Sequence, residues 1–308
     1  MSIQIAKRGC TIMTLRNLQI FVAVADCLNM TMAAKKLYIS QPSVSMAVSE
    51  IEKEYGVALF ERISGKLKLT PMGKTLRSYA QNVLEMIEKM ESLTREESTA
   101  CIKIGVTVTI GSTIMGPIIA KMKESMPKVD YHVTVANTRI IEKMLMNSEV
   151  DIAFVEGQVS NPNLEVYEVL SDELIAISGP QHCCCGKESV TLKELSKEPL
   201  ILREPESGTR AFFEEAMQKA GLNYTVRWTS YSYGAIIQAV KNNLGVGIIS
   251  RKLAEKYIDA GELCGCRIKD ANLSRSFRLL YVKNKYITDM MLKFSETVGN
   301  LAAIEMKK

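Results

Sequence analysis

The segment MAAKKLYISQPSVS, residues 32–45, decides the fold of the first third of the chain. Its first half has small and apolar residues at helical spacing and ends at Ser40. Pro42 then stands where the first turn of a new helix tolerates proline. Two short helices joined by so tight a turn are typical of a helix-turn-helix. The segment therefore predicts that a recognition helix follows, over Gln41 to Tyr55.

The predicted recognition helix has one apolar face, formed by Val44, Val48, Ile51 and Tyr55. Its other face carries short polar groups, and Gln and Ser can reach base edges or phosphates without filling a groove. A plain three-helix bundle would show the same periodicity. We expect Thr31 to be the N-cap of the preceding helix. The predicted DNA contacts here are Thr31, Gln41, Pro42, Ser43, Ser45, Met46, Ser49 and Lys53.

Residues 59–69 favour the DNA-binding interpretation over the plain bundle. They contain two short strand-like segments, 59–62 and 66–69, on either side of Ser64 and Gly65, and so predict a β-hairpin wing. Basic residues near its tip would lie beside the duplex backbone or in a minor groove, where phosphates attract them. The predicted wing contacts are Arg62, Lys66 and Lys68.

The net charge of the chain is +5, and all of the excess belongs to the same region. Residues 1–95 contain 13 Lys and Arg against 8 Asp and Glu, whereas residues 96–308 contain 26 of each kind. Such asymmetry indicates a polyanion-binding module joined to a neutral domain. A solvated basic face would give the same count, so the charge favours double-stranded DNA as a partner only together with the motifs.

A long helix is predicted from Thr70 and Pro71, an N-cap and a first-turn proline, to about Arg95. Its apolar residues recur at spacings of 3, 4, 3, 4 and 3, which is the a/d repeat of a coiled coil. A few turns of globular packing could produce a similar stripe. We expect this seam to join two chains, and its residues are Leu76, Tyr79, Val83, Met86, Met90 and Leu93.

Several separated segments resemble the N-terminal domain of LysR-type transcriptional regulators. They are 15–25 (LRNLQIFVAVA), 32–45 as quoted above, 59–62 (LFER) and 69–73 (LTPMG). Family members usually begin near the residue that matches Met13, so the resemblance implies that Met1 to Ile12 contribute little to the fold. One departure is Met46, where the family often has a basic or amide residue, and we expect apolar or absent base readout there.

The resemblance implies a division of the whole chain. It places a winged helix-turn-helix at 13–70, a dimerising linker helix at 71–95, a hinge at 96–100 and an effector-binding domain at 101–308. Beyond residue 100 the sequence itself alternates strand-like and helix-like segments, which favours an α/β fold with largely parallel sheets.

The resemblance further implies two Rossmann-like subdomains arranged like a periplasmic binding protein, with a ligand in the cleft. Subdomain I would comprise 101–160 and 269–308, and subdomain II would comprise 161–268. The chain would cross near 156–162 and return near 267–271.

Two segments of this α/β region place hydroxyls and glycine between a strand and a helix: 107–113 (TVTIGST) and 206–210 (ESGTR). Free N–H groups at a helix N-terminus favour a carboxylate, phosphate or sulfate. Ordinary capping explains either segment alone, whereas two that face one cleft favour a small anionic effector. The second also resembles a segment of family members that sense anionic metabolites. The predicted effector contacts are Thr107, Thr109, Ser112, Thr113, Ser207, Gly208, Thr209 and Arg210.

Eight cysteines are scattered through a long chain without a secretory signal, so we expect reduced thiols. The segments HCCC at 182–185 and CGC at 264–266 suggest a metal or redox site. Structural zinc sites, however, favour two to four residues between paired cysteines, and adjacent cysteines cannot easily share one tetrahedron. We therefore expect surface loop cysteines and neither a metal nor a cofactor. A thiol- or metal-responsive regulator is the alternative.

Other functional classes fit less well. The chain has two histidines, His132 and His182, and neither a phosphate loop nor a Gly-x-Ser-x-Gly elbow, so an enzyme is not expected. A transport protein would lack the basic head, and a coiled-coil adaptor would explain only residues 71–95. No apolar run approaches the roughly 20 residues of a membrane span.

We predict a cytoplasmic transcription factor that binds DNA and a small anionic effector. A homodimer or homotetramer is expected, with RNA polymerase as a further candidate partner. The sequence leaves open the operator, the regulated genes, the effector and whether the outcome is activation or repression.

Overall fold

The computed structural model describes residues 13–93 and 100–305. The chain divides into two compact units after Ser98, and each unit is described by itself. Met1 to Ile12 and most of the predicted hinge at 96–100 lie outside the described residues.

The first unit is a winged helix-turn-helix followed by a long helix. Its elements are α1 (Leu15–Cys27), α2 (Met30–Leu37), α3 (Gln41–Tyr55), β1 (Phe60–Ile63), β2 (Lys66–Leu69) and α4 (Pro71–Leu93). The prediction that Thr31 is the N-cap of α2 is wrong. Asn29 is the cap, because its Oδ1 accepts hydrogen bonds from the backbone N–H groups of Thr31 and Met32. Thr31 lies in the first helical turn instead.

The core of the first unit contains several small residues among its larger apolar side chains. Ala33 of α2 and Ala47 of α3 are buried, and their size lets α1, α2 and α3 approach closely. The predicted apolar face of α3 is confirmed at Val44, Val48 and Ile51 but ends there, since Tyr55 is half exposed. Position 73, near the start of α4, requires glycine. A Cβ there would come within 2.1 Å of the Leu59 carbonyl oxygen, so α4 could not pack against the wing.

The second unit is an α/β domain. Its first half contains β3 (Cys101–Thr107), α5 (Val108–Thr113), α6 (Met115–Ser125), β4 (Asp130–Ala136), α7 (Thr138–Met146), β5 (Ile152–Glu156) and β6 (Leu164–Ser178). Its second half contains β7 (Ser189–Val190), α8 (Leu192–Leu195), β8 (Pro199–Arg203), α9 (Gly208–Lys219), β9 (Thr225–Ser230), α10 (Tyr233–Lys241), β10 (Val246–Ser250), α11 (Arg251–Asp259), β11 (Cys264–Ile268), β12 (Ser274–Val282) and α12 (Asp289–Glu305).

The strands of the second unit form two groups joined through β6. The order is β4-β3-β5-β12-β6-β10-β8-β9, and β11 pairs with both β6 and β7. Strands β3, β4 and β5 are parallel, as are β8, β9 and β10, whereas β12 and β6 run antiparallel to their neighbours. The expectation of largely parallel sheets therefore holds only within each group of three.

The crossing between the two subdomains differs from the expected one near 156–162. Residues 164–173 of β6 pair with β12 in the first group, and residues 174–177 pair with β10 in the second. The chain thus passes from one subdomain to the other inside β6, at Glu173 and Leu174. A single long strand can do this because its backbone groups pair with a different partner along each half. The return, between Ile268 and Ser274, lies close to the expected place.

Candidate nucleic-acid interface and effector site

The outer face of α3 presents the side chains predicted to contact DNA. Gln41, Pro42, Ser43, Ser45, Met46, Ser49 and Lys53 are all exposed, as is Thr31 of α2. Helix α3 begins at Gln41 because the hydroxyl of Ser40, its N-cap, accepts a hydrogen bond from the Ser43 N–H. The hydroxyls of Ser40 and Ser43 are also 2.7 Å apart, so Ser43 takes part in the cap. The face can offer amide, hydroxyl and ammonium groups to a duplex.

The wing carries its basic residues on both faces of the hairpin. Arg62 lies opposite Leu67, whereas Lys66 and Lys68 lie opposite Ile63 and Glu61 on the other face. All three basic side chains are exposed, and none forms an ion pair with a residue in the described ranges. A tight turn at Ser64 and Gly65, both in the left-handed region with φ of 52° and 75°, brings them to the tip.

The predicted seam on α4 is mostly exposed. Tyr79, Val83, Met86 and Met90 are 51%, 45%, 45% and 62% accessible. Leu76 instead packs against the buried cluster of Phe21 and Leu59 within the unit. The side chain of Leu93 lies outside the described residues. In the described part of the chain, α4 therefore keeps an apolar stripe uncovered beyond its first turns.

A closed ring of polar groups lies inside the second unit. The Tyr233 hydroxyl is 3.0 Å from the Thr109 hydroxyl and 3.0 Å from the Thr209 hydroxyl. The Arg275 guanidinium donates to the same two hydroxyls, at 3.3 Å and 3.0 Å. All four side chains are buried. We call these four residues the Arg275 ring, and they come from α5, α9, α10 and β12.

Two carboxylates hold the Arg275 guanidinium in place. Asp172 accepts from Arg275 Nε at 2.8 Å and from the Ser250 hydroxyl at 2.7 Å. Glu156, at the end of β5, lies 3.9 Å from the guanidinium and accepts a hydrogen bond from Thr107. Burial lowers the pKa of Arg275, but the charges of Glu156 and Asp172 outweigh it and raise that pKa overall. The side chain therefore stays protonated.

The pKa of Glu156 is raised above its ordinary value of 4.5. Burial is the largest cause, and the positive charge of Arg275 offsets it only in part. Protonated Glu156 would leave the positive charge of Arg275 balanced by Asp172 alone. The Arg203 guanidinium, stacked 4.3 Å over the Tyr233 ring, is separately paired with Glu204 at 2.7 Å. The neighbourhood of the ring is thus close to neutral when Glu156 is protonated.

The structure brings together only some of the residues predicted to bind the effector. Thr109 and Thr209, one from each predicted segment, share the Tyr233 hydroxyl. Thr107 is engaged by Glu156. Ser207 and Gly208 start α9, where the Ser207 side chain makes no capping bond. A Cβ built on Gly208 would lie 3.9 Å from the Glu156 carbonyl oxygen, so α9 begins beside the end of β5.

Three predicted effector residues lie elsewhere. Ser112 and Thr113 line a surface groove of about 230 Å³ together with Lys252 and Lys256 of α11. Arg210 donates to Glu214 at 2.7 Å and to the Arg203 carbonyl oxygen at 3.1 Å, so it braces α9 against β8. None of the three donates to or accepts from Tyr233 or Arg275 in the described residues.

Sequence reasoning missed Arg275, Tyr233, Glu156 and Asp172. Glu156 had a readable signal, since a charged residue that ends a buried parallel strand points to the edge where α/β folds bind ligands. Arg275 and Asp172 had none, because they face each other only through the register of β12 on β6. Such a pairing across 103 residues depends on the fold.

The expectation of reduced surface thiols holds for Cys183, which is free and exposed, but not for all the described cysteines. Cys185 and Cys264, 79 residues apart, form a disulfide. Cys184 and Cys266 are buried, and burial raises the pKa of Cys184 to about 12. The donor atoms of His182, Cys183 and Cys184 lie within 4.8 Å of one another, although their adjacency argued against a shared ligand site. The chain reaches this arrangement by a turn in which Cys185 N donates to the His182 carbonyl oxygen.

No helix within the described residues is long and apolar enough to cross a membrane.

Both units match known family models. Residues 15–74 match the model described as "Bacterial regulatory helix-turn-helix protein, lysR family", and residues 95–303 match "LysR substrate binding domain". Among curated relatives, the HTH-type transcriptional regulator CysL of Bacillus subtilis is 29% identical over 285 residues, covering 90% of this chain and 95% of CysL.

Two solved structures show the same fold. A full-length OxyR variant from Pseudomonas aeruginosa superposes with a TM-score of 0.66 at 21% identity, covering 95% of each chain. The effector binding domain of QuiR in complex with shikimate gives a TM-score of 0.60 at 18% identity, covering 67% of this chain and 99% of that domain.

Proposed function

The chain belongs to the LysR family of DNA-binding transcriptional regulators, and on that premise we propose that a small anion bound at the Arg275 ring controls its activity. The observation that carries the proposal is the shared Tyr233 hydroxyl, which joins Thr109 of one subdomain to Thr209 of the other. A ligand that replaced this link would act on both subdomains at once.

For DNA, we propose that α3 reads bases while the wing contacts phosphates. The support is the exposure of Gln41, Ser45 and Ser49 along one helix face and of Arg62 and Lys66 on the hairpin. Short polar side chains at the start of a recognition helix are those that reach base edges in the major groove. Exposed lysine and arginine beside the duplex add affinity that depends on salt.

For assembly, we propose a homodimer joined through α4, with a homotetramer formed by pairing of dimers. Four seam residues are between 45% and 62% exposed, although tyrosine, valine and methionine bury well. A second copy of α4 would cover them in the 3-4 alternation that the sequence shows. Two reading heads in one molecule would raise the effective concentration at an operator with two half-sites.

For the effector, the Arg275 ring offers three hydroxyls and one guanidinium that converge from four elements. An anion can accept hydrogen bonds from all of them and so replace the hydrogen bonds that these four residues make to one another. The start of α9 adds N–H groups that the Ser207 side chain does not cap. Such an anion would bind a closed conformation, in which the two subdomains are in contact, more tightly than an open one. Only this difference in affinity can shift the protein toward the closed conformation.

The carboxylates near the ring decide the conditions under which an anion binds. Glu156 is the weaker partner of Arg275, at 3.9 Å against 2.8 Å for Asp172. Its raised pKa favours the neutral form, which does not repel an anion. QuiR, which shares this fold, was solved in complex with shikimate, whose carboxylate is an anion of the proposed class.

A thermal-shift screen on the full chain tests the effector proposal. Small carboxylates, phosphates and sulfur oxyanions are compared with neutral compounds of the same size. An anion at about 100 times its dissociation constant should stabilise the protein by about 2.7 kcal/mol. Stabilisation by neutral or cationic compounds alone would contradict the anionic assignment.

Selection of genomic fragments by gel shift tests the DNA proposal. The full chain should enrich a small set of fragments that share two similar half-sites. Equal retention of all fragments would contradict sequence-specific binding, because phosphate contacts alone carry no sequence information.

A further inference from the structure

A cluster of metal-ligating side chains lies outside the Arg275 ring, in the loop between β6 and β7. His182, Cys183 and Cys184 bring one donor atom each within 4.8 Å of the other two. Thiolate and imidazole are the ligands of Zn²⁺ and of softer cations such as Cu⁺, whereas Mg²⁺ and Ca²⁺ prefer oxygen. The DNA-binding and effector sites proposed above use none of these three residues.

The distances fit a tetrahedral centre. His182 Nδ1 lies 3.8 Å from Cys183 Sγ. Zinc-ligand bonds of about 2.0 to 2.3 Å place the ligands of a tetrahedron about 3.3 to 3.8 Å apart. His182 Nδ1 and Cys183 Sγ therefore stand at the separation that a bound zinc ion requires, and Cys184 Sγ lies within 4.8 Å of both.

Glu198 is placed to orient the histidine. Its Oε2 lies 3.3 Å from His182 Nε2, so the imidazole can donate its Nε2–H to the carboxylate and turn Nδ1 toward the two sulfurs. A carboxylate behind the histidine is the usual partner of a zinc-bound imidazole. In the present arrangement Nδ1 accepts a hydrogen bond from the Cys184 N–H at 3.2 Å, and a metal ion would replace that bond.

The loop is held in shape from the other side. The Cys185–Cys264 disulfide ties it to β11, and the Cys266 thiol donates to the carbonyl oxygens of Cys184 and Lys187 at 3.1 and 3.2 Å. Ligands that are already held near their final positions bind a metal at a smaller cost in conformational entropy. This support explains how three consecutive residues can converge.

We propose that His182 Nδ1, Cys183 Sγ and Cys184 Sγ bind one Zn²⁺-like cation, with Glu198 as the residue that positions the imidazole. Water fills the fourth position. Binding replaces the two thiol protons, so each M²⁺ taken up releases two H⁺ and no electrons are transferred. The proposal does not depend on the effector or on DNA, so either can fail while the other stands.

Cobalt titration of the purified full chain tests the proposal, because Co²⁺ occupies zinc sites and its thiolate bonds absorb in the near ultraviolet. We expect this absorption to saturate at one Co²⁺ per chain and to disappear when Zn²⁺ is added. Cys183→Ser should weaken binding at least tenfold. Cys183 is exposed, so this variant should fold normally. The matched control is Cys27→Ser, at a thiol of the first unit, which should leave the titration unchanged.

Glu198→Gln separates positioning from ligation. It should weaken Co²⁺ binding about 10- to 100-fold while leaving the thiolate absorption at saturation unchanged. The proposal is overturned if no thiolate absorption appears. It is also overturned if Cys183→Ser titrates like the parent, or if peptide mapping finds Cys183 or Cys184 exchanged into a disulfide with Cys185 or Cys264.

Discussion

The outer face of α3 and the Arg275 ring are the regions proposed here to bind DNA and the effector, and they are built in opposite ways. The recognition face is a row of exposed side chains from one helix, supported by a core that they do not touch. The ring is buried and takes each of its four residues from a different element. A substitution on the face should therefore change binding alone, whereas a substitution in the ring should change stability and binding together.

The largest expected effect comes from Arg275 of the ring, and Arg62 of the exposed wing is the arginine with which it is compared. Arg275→Met leaves the Asp172 carboxylate buried without its cationic partner, which typically costs about 3 to 5 kcal/mol. Arg62→Ala, on the exposed wing, should stay within about 0.5 kcal/mol of the parent. Urea unfolding followed by the fluorescence of Trp228, the only tryptophan, reports on the second unit, and circular dichroism reports on the whole chain.

The contrast between a buried ring and exposed DNA contacts requires both outcomes. If Arg275→Met unfolds within about 1 kcal/mol of the parent, Asp172 has another route to solvent or to a partner. If Arg62→Ala is strongly destabilised, the wing is structural and its arginine is not a free DNA contact.

The seam on α4 gives the next largest effect. Val83→Glu combined with Met90→Glu should split the dimer, because like charges would be buried across a two-fold interface. Loss of the second reading head should lower affinity for a two-half-site fragment about 100-fold. Sedimentation and gel shift measure the two effects, and Glu88→Ala, at an exposed position off the seam, is the control. If sedimentation shows that the double variant keeps the oligomeric state of the parent, the apolar stripe packs within one chain instead.

The contrast between the regions also explains what the sequence could predict. The helix-turn-helix, the wing and the apolar side of α3 follow from local periodicity and turn residues, and the family comparisons confirm the fold. The features that the sequence did not predict are those that depend on contacts between residues far apart in the chain. The passage of β6 between subdomains, the Arg275–Asp172 pair and the Cys185–Cys264 disulfide all depend on which strands become neighbours. The capping error at Thr31 was local, since asparagine is the better N-cap and Asn29 stands two residues earlier.

Gln41→Ala on the recognition face and Arg62→Ala on the wing should separate base reading from phosphate binding. Gln41→Ala should cost about 1 to 3 kcal/mol on the selected fragment and little on random DNA. Arg62→Ala should weaken both alike and reduce the slope of log K against log salt by about 1. Titrations at several salt concentrations provide both numbers. Equal losses on both DNAs for Gln41→Ala would remove it from base reading.

The pH dependence of stability is the smallest effect and belongs to the ring. The pKa of Glu156 is higher in the folded chain than its unfolded value of 4.5, so its contribution is fully present below 4.5 and is lost as the pH rises through the folded pKa. Glu156→Gln lacks this loss. Its stability should therefore gain on the parent above pH 4.5, by at most about 1.4 kcal/mol for each pH unit. Parallel pH profiles from Trp228 unfolding would show that Glu156 does not titrate as proposed.

The measurement that tests the central claim is DNA binding by the full chain with and without the anion found in the screen. The anion should change the affinity of the parent for the selected fragment. Thr209→Ala should need at least about tenfold more anion, because it removes the hydroxyl that would donate one charge-assisted hydrogen bond to the anion. Thr209→Ser, which keeps the hydroxyl, and Ser112→Ala, which lies outside the ring, should respond like the parent. If Thr209→Ala responds at the same anion concentration as the parent, the Arg275 ring is a structural contact between subdomains and the effector binds elsewhere.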